Sequence, residues 1–467
     1  MARYELNLHS RNIATPADPM RLLALLAAQP GDMAMLHSGS DGNVILAVNP
    51  IAGVLMEPFA GQIAFQFTGL AAVAEGRARI IVELSVAWQK WQGVLTGVSI
   101  LQPVPELVGW LGWISYEAGV INELPRLYQV QPTDVPLAHW QLFERYFLFD
   151  ADTQQWRLVA LHQNIATATQ AADQMESQLA ATATLPVAAY PDAAGSELLR
   201  QPNADEFKAA VRRCQDYIAA GDIYQANLSV LWIARVAAGG DRVFTRLLAH
   251  NPAQYGAFMR YGAHELISAS PELFLRRKGQ RIETRPIKGT RPRDLDNVAM
   301  DQKLRDELLH SEKDRAELAM IVDLLRNDAG RICTKVRVEN SRQLESLPTL
   351  WHTHGIICGE LNDPLRNGWG QIIQAMCPGG SITGVPKIRA MQIIHELEAH
   401  LRGIYCGNIG WISPAGDGTL NIAIRTLHLA NGLAQFRTGA GITADSDPDE
   451  EYEEILAKAA ALVKAVM

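Results

Sequence analysis

The chain has 467 residues, 48% of them hydrophobic and 20% charged, with a formal net charge of −8. That length can bury one large core or two, and an acidic balance without a long basic tract argues against a nucleic-acid or anionic-membrane surface as its main business. The polar start MARYELNLHSRN lacks the apolar core of a signal peptide, and no run reaches the roughly 18 apolar residues that span a bilayer. The cysteines, Cys214, Cys333, Cys358, Cys377 and Cys406, show no CxxC spacing. They are expected as reduced thiols of a cytoplasmic protein, not as a disulfide or zinc framework.

In chain order, the short apolar runs MAML, NVILAV and AFQFTGL suggest an antiparallel sheet. GWLGWISYEAG, residues 109 to 119, packs aromatics between glycines, a pattern of tight sheet packing. Residues 166 to 195, rich in Ala, Thr, Gln and Pro, read as a helix running into an exposed linker. The division falls at 186–202, between an N-terminal region, 1–185, and a C-terminal region, 203–467. Asn203 with Glu206 forms a candidate capping box. Phe207, Val211, Cys214 and Ile218 then recur at helical spacing, and Gly221 is a natural stop. IYQANLSV alternates: Tyr224, Ala226, Leu228 and Val230 share one face, and Gln225, Asn227 and Ser229 the other. Such a strand either lines a pocket or is an edge strand facing water.

RPIKGTRPR places Lys288 among Arg285, Arg291 and Arg293. The lysine is either one more contact to an anion or an amine held ready to react. SEKDRAELAMIVDLLRNDAGR, from Ser311, predicts a helix with Leu318, Ile321, Val322 and Leu325 as its apolar stripe. Asp314 and Glu317 share another face. In CPGGSITGVPKIRAM, Gly379 and Gly384 have phosphate-loop spacing, but Val-Pro follows where Lys-Ser or Lys-Thr belongs. The expectation is a loop with exposed N–H groups at a helix N-terminus, which binds carboxylates as readily as phosphates. NIAIRTLH alternates as a strand, with Arg425 able to fork onto a carboxylate. TGAGITADSDP offers a second flexible loop, where Gly439 and Gly441 allow close backbone approach.

DPDEEYEEILAKAAALVKAV predicts a final helix, capped by Asp447, with Pro448 in its first turn and Glu450 completing a capping box. Ile455, Leu456, Ala459 and Leu462 face the core, while Glu451, Glu454 and Lys458 run along another side. The macrodipole alone accounts for acid in a first turn. The sharper alternative has Glu317 and Glu454 meeting across a cleft to share a hard cation such as Mg²⁺ with an anionic substrate.

Taken together, GDIYQANLS, SPELF, RPIKGTRPR, KDRAELAMIVDLLRND, LWHTHGIICGEL, GGSITGVPKIRAM, RGIYCGNIGW, NIAIRTLH and GAGITADSDPDEEYEE resemble, in this order, the chorismate-utilising enzymes. The matching stretches run from residue 221 to about 460; MLHSGSDGN and GWLGWISYEAG resemble the N-terminal half of the family's component I more weakly. The resemblance implies an α+β fold, a sandwich of two large antiparallel β-sheets with helices between them. PIKGT resembles the branch that aminates chorismate at C4 to 4-amino-4-deoxychorismate, the precursor of 4-aminobenzoate and folate; the anthranilate-forming branch usually reads PIAGT. Ammonia is then expected from a separate glutamine amidotransferase subunit, since no glutaminase nucleophile motif is found and a fused glutaminase has no room.

By the same resemblance, Lys288 is the nucleophile and Glu272 of SPELF the acid. Glu317 and Glu454 hold Mg²⁺, with Asp314 and Glu451 in support. Thr290, His352, Thr383, Tyr405, Arg425, Gly439, Ala440, Gly441 and Lys458 contact the substrate. Arg285, Arg291 and Arg293, or burial, are expected to keep the lysine amine unprotonated. Gln225 stands where water-adding members carry a lysine base, which argues against isochorismate or salicylate formation. Two alternatives remain open: anthranilate formation with pyruvate release, and a non-catalytic sensor of chorismate or tryptophan, which relatives hold near the LHSGS-like stretch.

Overall fold

A computed structural model of the chain describes residues 4–14, 17–39, 41–60, 62–75, 77–125, 135–182, 195–347, 350–363 and 368–467. Strict alternation builds it. On the strand Met33–His37, Met33 and Met35 pack on one side while Ala34 and Leu36 pack on the other. Both faces are buried, so this strand belongs to a sheet covered on two sides.

The first sheet runs, in spatial order, through Gln225–Arg235, Leu433–Ile442, Thr426–Ala430, His264–Ser270, Tyr255–Tyr261, Met33–His37 and Val44–Phe59. Val44–Phe59 then pairs with Ala138–Asp150, which leads into the second sheet. That sheet continues through Trp110–Ile114, Asn408–Ile412, Gly418–Asn421, Leu273–Lys278, Arg281–Arg285 and Leu350–Leu361. Ile287–Pro292 and Cys333–Ser346 flank the last of these. All these pairings are antiparallel, and the fold is α+β.

Between the sheets lies a core rich in tryptophan. Trp88 and Trp91 enter it from the helix Leu84–Leu95, and Ile372, Ile373 and Met376 from the helix Trp369–Met376. Each such side chain contributes about 1.5–3 kcal/mol on burial. The outer face of the first sheet is covered by the helices Pro19–Ala27, Ile165–Thr182, Gly240–His250 and Pro448–Val466. The glycines of GWLGWISYEAG serve tight packing: a Cβ at Gly112 would lie 2.6 Å from the Trp140 ring.

The division drawn at 186–202 does not separate two layers. Met33–His37 pairs with Tyr255–Tyr261, and Trp110–Ile114 with Asn408–Ile412, so residues 1–185 and 203–467 share both sheets. Residues 183–194 of the expected helix-and-linker stretch lie outside the described residues, while Glu197–Arg200 is a short strand on Gln225–Arg235. Among the described residues no helix is long and apolar enough to cross a membrane, and all five cysteines are free and buried.

Three local expectations are corrected. TGAGITADSDP is no flexible loop at its start, because Thr438–Ile442 continues a strand paired along its length with Gln225–Arg235. NIAIRTLH is no continuous strand: Arg425 falls between Gly418–Asn421 and Thr426–Ala430 with φ +50°. The water-facing reading of IYQANLSV also fails. Gln225–Arg235 pairs along one edge with Leu433–Ile442 and at the two ends of the other with Gly384–Val385 and Glu197–Arg200, its Gln225 is buried, and Tyr224, 70% exposed, precedes it.

Candidate active site

Two helix starts deliver the acids. Ser311 caps Glu312–Gly330 by accepting the Asp314 N–H at 3.2 Å. Asp447 caps Pro448–Val466 by accepting the N–H groups of Asp449 and Glu450. Helical spacing then turns Asp314 and Glu317 of the first helix, and Glu451, Glu454 and Lys458 of the second, into one cavity of about 620 Å³. Facing them are Lys288 and Thr290 from Ile287–Pro292, His352 from Leu350–Leu361, and Gly439 and Gly441 from Leu433–Ile442. Tyr405 and Arg425 join the lining from the loops after Leu397 and Asn421.

Lys288 Nζ lies 3.7 Å from Glu317 Oε2, and both side chains are about one-sixth exposed, at 15% and 16%. Gly289 makes the approach possible. Its φ is +81°, and a Cβ there would lie 2.9 Å from Asp314 Cγ. The neighbouring arginines are themselves paired with acids. Arg285 pairs with Glu283 at 2.7 Å, Arg291 with Asp314 at 3.2 Å and Arg293 with Asp301 at 2.8 Å. Each of the three thus has a carboxylate beside it, Glu283 also lying 3.6 Å from Arg281.

Glu272 is buried at the cavity wall, and Ser381 Oγ donates to its Oε1 at 2.6 Å. Burial pushes its carboxyl up to about 7, against the opposing pull of the Ser381 hydrogen bond and of Lys288. Near neutrality this side chain can therefore carry a proton. Glu454 behaves oppositely. Burial resists its ionisation, but Lys458, 2.5 Å away, outweighs that and holds it below the usual carboxylate range. Glu451 is raised by burial and accepts a 2.6 Å hydrogen bond from Ser446 Oγ. Asp314 is engaged by Arg291, so both supposed supporting carboxylates already have partners.

His352 Nε2 lies 2.9 Å from Glu345 Oε2, and this hydrogen bond holds the Glu345 carboxyl down at about 2. Tyr405 is buried, and its hydroxyl lies 2.7 Å from where a Cβ on Gly439 would be. Lys458 Nζ donates to Gly439 O at 2.9 Å. Arg425 spends one guanidinium nitrogen on Asn251 Oδ1. Two expected substrate contacts do not reach the cavity by their side chains. The Thr383 hydroxyl donates to the carbonyls of Gly379 and Gly380 at 3.0 and 3.3 Å. Ala440 faces the opposite side of its strand, among Leu228 and Ile442 in a separate apolar core.

The glycine-rich turn is likewise not an exposed anion cradle. Gly379 to Gly384 is buried apart from the half-buried Ser381, Pro386 precedes Lys387–Leu397, and Lys387 Nζ turns back to Asp328 at 2.6 Å. A lysine already neutralised by a buried acid occupies that helix start. Asn227, Lys313, Ser381 and Arg437 line the cavity without having been singled out as site residues. Arg437 was legible, because it shares its strand face with Gly439 and Gly441 at a spacing of two. Ser381 lies in the same GGSITG stretch as Thr383, and only the turn of the loop decides which hydroxyl faces inward.

The chain is similar to known proteins over most of its length. Residues 62–464 match the family described as chorismate binding enzyme. Aminodeoxychorismate synthase component 1 of Bacillus subtilis (strain 168) is 36% identical over 368 residues, 77% of this chain and 77% of that one. Anthranilate synthase component 1 of Aquifex aeolicus (strain VF5) is 41% identical over 266 residues, 56% of this chain and 53% of that one. The crystal structure of anthranilate synthase component I from Streptococcus pneumoniae TIGR4 superposes with a TM-score of 0.74 at 27% identity, covering 90% of this chain and 92% of that one.

Proposed function

The chain belongs to the chorismate binding enzyme family, and from that premise we propose that it aminates chorismate at C4 to give 4-amino-4-deoxychorismate, the precursor of 4-aminobenzoate and folate. The observation that carries the reading is a primary amine, Lys288, inside the cavity, with the buried Glu272 of raised pKa lining the same space. In its neutral form the amine attacks the ring carbon beside the carboxylate-bearing one. The ring double bonds shift, the C4–O bond breaks, and Glu272 gives its proton so that water departs. Ammonia then bonds to C4, the double bonds return, and the carbon–nitrogen bond to Lys288 breaks. The ammonia comes from a glutamine amidotransferase partner.

Glu317 and Glu454 offer carboxylate oxygens from two helices to one cavity, a donor set suited to a hard cation. Mg²⁺ held there would anchor the ring carboxylate and withdraw electron density from the ring. Tyr405, Arg425 and the backbone from Gly439 to Gly441 grip the enolpyruvyl carboxylate, with Thr290 and Lys458 beside it. A second reading, anthranilate formation with pyruvate release, is supported by His352 on the cavity wall and by relatives of that name.

Incubation with chorismate, ammonium and Mg²⁺ tests the reading. An aminated product without pyruvate, and a trapped adduct whose mass maps to Lys288, are expected. Pyruvate in equal amount to product would assign the second reading instead. Wild-type turnover by Lys288→Ala at saturating ammonium would remove the covalent route.

A further inference from the structure

We propose that Glu345, His352 and His354 form an imidazole–carboxylate site for a divalent transition metal of the Zn²⁺ or Co²⁺ class, which shares His352 with the wall of the cavity. The placement follows from strand register. His352 and His354 are two apart on Leu350–Leu361, so they project from the same face. Glu345 of Cys333–Ser346 lies directly opposite His352 in the ladder. As a result two ring nitrogens converge on one oxygen. His352 Nε2 is 2.9 Å, and His354 Nδ1 3.4 Å, from Glu345 Oε2. All three donor atoms lie within 4.8 Å of one another. Two nitrogen ligands of a tetrahedral zinc ion lie about 3.3 Å apart, so the cluster needs only small side-chain rotations to close on a cation.

The surroundings fit a metal site more closely than a chance ion pair. Gln254 Nε2 donates to the other carboxylate oxygen, Oε1, at 2.7 Å, which orients Oε2 towards the rings. Both histidines are buried, at 3% and 2% exposure, while Glu345 is one-quarter exposed at its side chain and leaves a route for entry. His354 Nε2 is buried without a hydrogen-bond partner among the described residues, and it is Nδ1 that faces the carboxylate. The donor set separates this site from the acids of the cavity. Mg²⁺ prefers oxygen ligands and retains water, whereas imidazole selects zinc and its neighbours.

Because His352 also lines the chorismate cavity, metal binding is read without substrate. The full chain, stripped with a chelator and dialysed, is titrated with Co²⁺ in excess Mg²⁺ and followed by visible absorption. One equivalent of Co²⁺ with the intense bands of a four-coordinate site is expected. His354→Ala and Glu345→Gln should each weaken binding at least about 100-fold, and Gln254→Ala by about 10- to 100-fold. Circular dichroism of each variant reports folding; should His354→Ala misfold, Glu345→Gln and the graded loss in Gln254→Ala carry the test. The proposal is overturned if no saturable binding occurs below about 0.1 mM, or if excess Mg²⁺ displaces the cobalt. It also fails if affinity drops in His264→Ala, at the stacked His264–His428 pair, and not in the variants of this cluster.

Discussion

Two clusters of opposite charges lie against one another in this molecule, and Tyr405 and Arg437 border both. Behind the cavity, Glu398 accepts from Arg402 at 2.7 Å, from Arg437 at 3.0 Å and from the N–H and hydroxyl of Ser229 at 2.8 Å. Its carboxylate is saturated and its side chain only 4% exposed. In front, Lys288 and Glu317 are 3.7 Å apart, beyond ordinary hydrogen-bond length, and Glu272 is pushed towards its neutral form. The rear cluster is finished, whereas the front one keeps capacity for a substrate. Buried charge alone therefore does not mark an active site; unused donors and acceptors around a cavity do.

The contrast breaks most visibly at Lys288. Lys288→Ala should lower turnover by about 10³-fold or more while stability changes little, measured by steady-state rates beside a urea titration. The rear cluster should answer in the opposite way. Glu398→Ala leaves two buried guanidinium groups without their acid and should cost about 3–5 kcal/mol of unfolding free energy. Burial opposes the ionisation of Glu398, yet Arg402 and Arg437 hold its pKa down in the fold. Its stabilisation is thus present above the unfolded carboxylate value of about 4.3 and lost as pH falls through the folded one. A wild-type acid-unfolding curve that Glu398→Gln leaves unchanged would contradict this.

Smaller changes sharpen the front cluster. A Cβ at Gly441 would lie 2.5 Å from Gln225 Nε2 and 3.3 Å from Lys288 Nζ, both ends of flexible side chains. Gly441→Ala should therefore fold normally but displace the amine, lowering kcat about 100-fold. Ser381 donates to Glu272 and favours its ionised form. Removing that donor in Ser381→Ala raises the Glu272 pKa further, so the acid stays protonated to higher pH. The alkaline limb of kcat should move up by about one unit, and a downward shift would deny Glu272 the role of acid.

Legibility in the sequence followed the range of the forces involved. Helix starts were readable because a cap and its N–H partners lie within three residues: Asn203 and Asp447 cap as expected, and Ser311 caps the helix read from it. The apolar stripe Leu318, Ile321, Val322 and Leu325 is buried as its spacing implies. Thr383 and Ser381 were not separable in this way, since both are hydroxyls on one glycine-rich turn and only packing sets their direction. The pairing of the arginines of RPIKGTRPR was hidden for a similar reason. Their partners Glu283 and Asp301 lie within ten residues, but Asp314 lies further along the chain, and proximity in sequence says nothing about which charge is cancelled.

By itself the sequence determined periodicity, caps, the alternating faces of the strands and the ordered motifs of the chorismate-utilising family, because each is a property of short-range backbone geometry or of residue identity. The tertiary structure decided the rest. It merged residues 1–185 and 203–467 into common sheets, and turned Thr438–Ile442 into a strand. It also placed Glu345 opposite His352, and Lys288 across from Glu317. Those outcomes depend on which strands pair and in what register, and long-range pairing is settled by burial of whole faces, which no local pattern encodes.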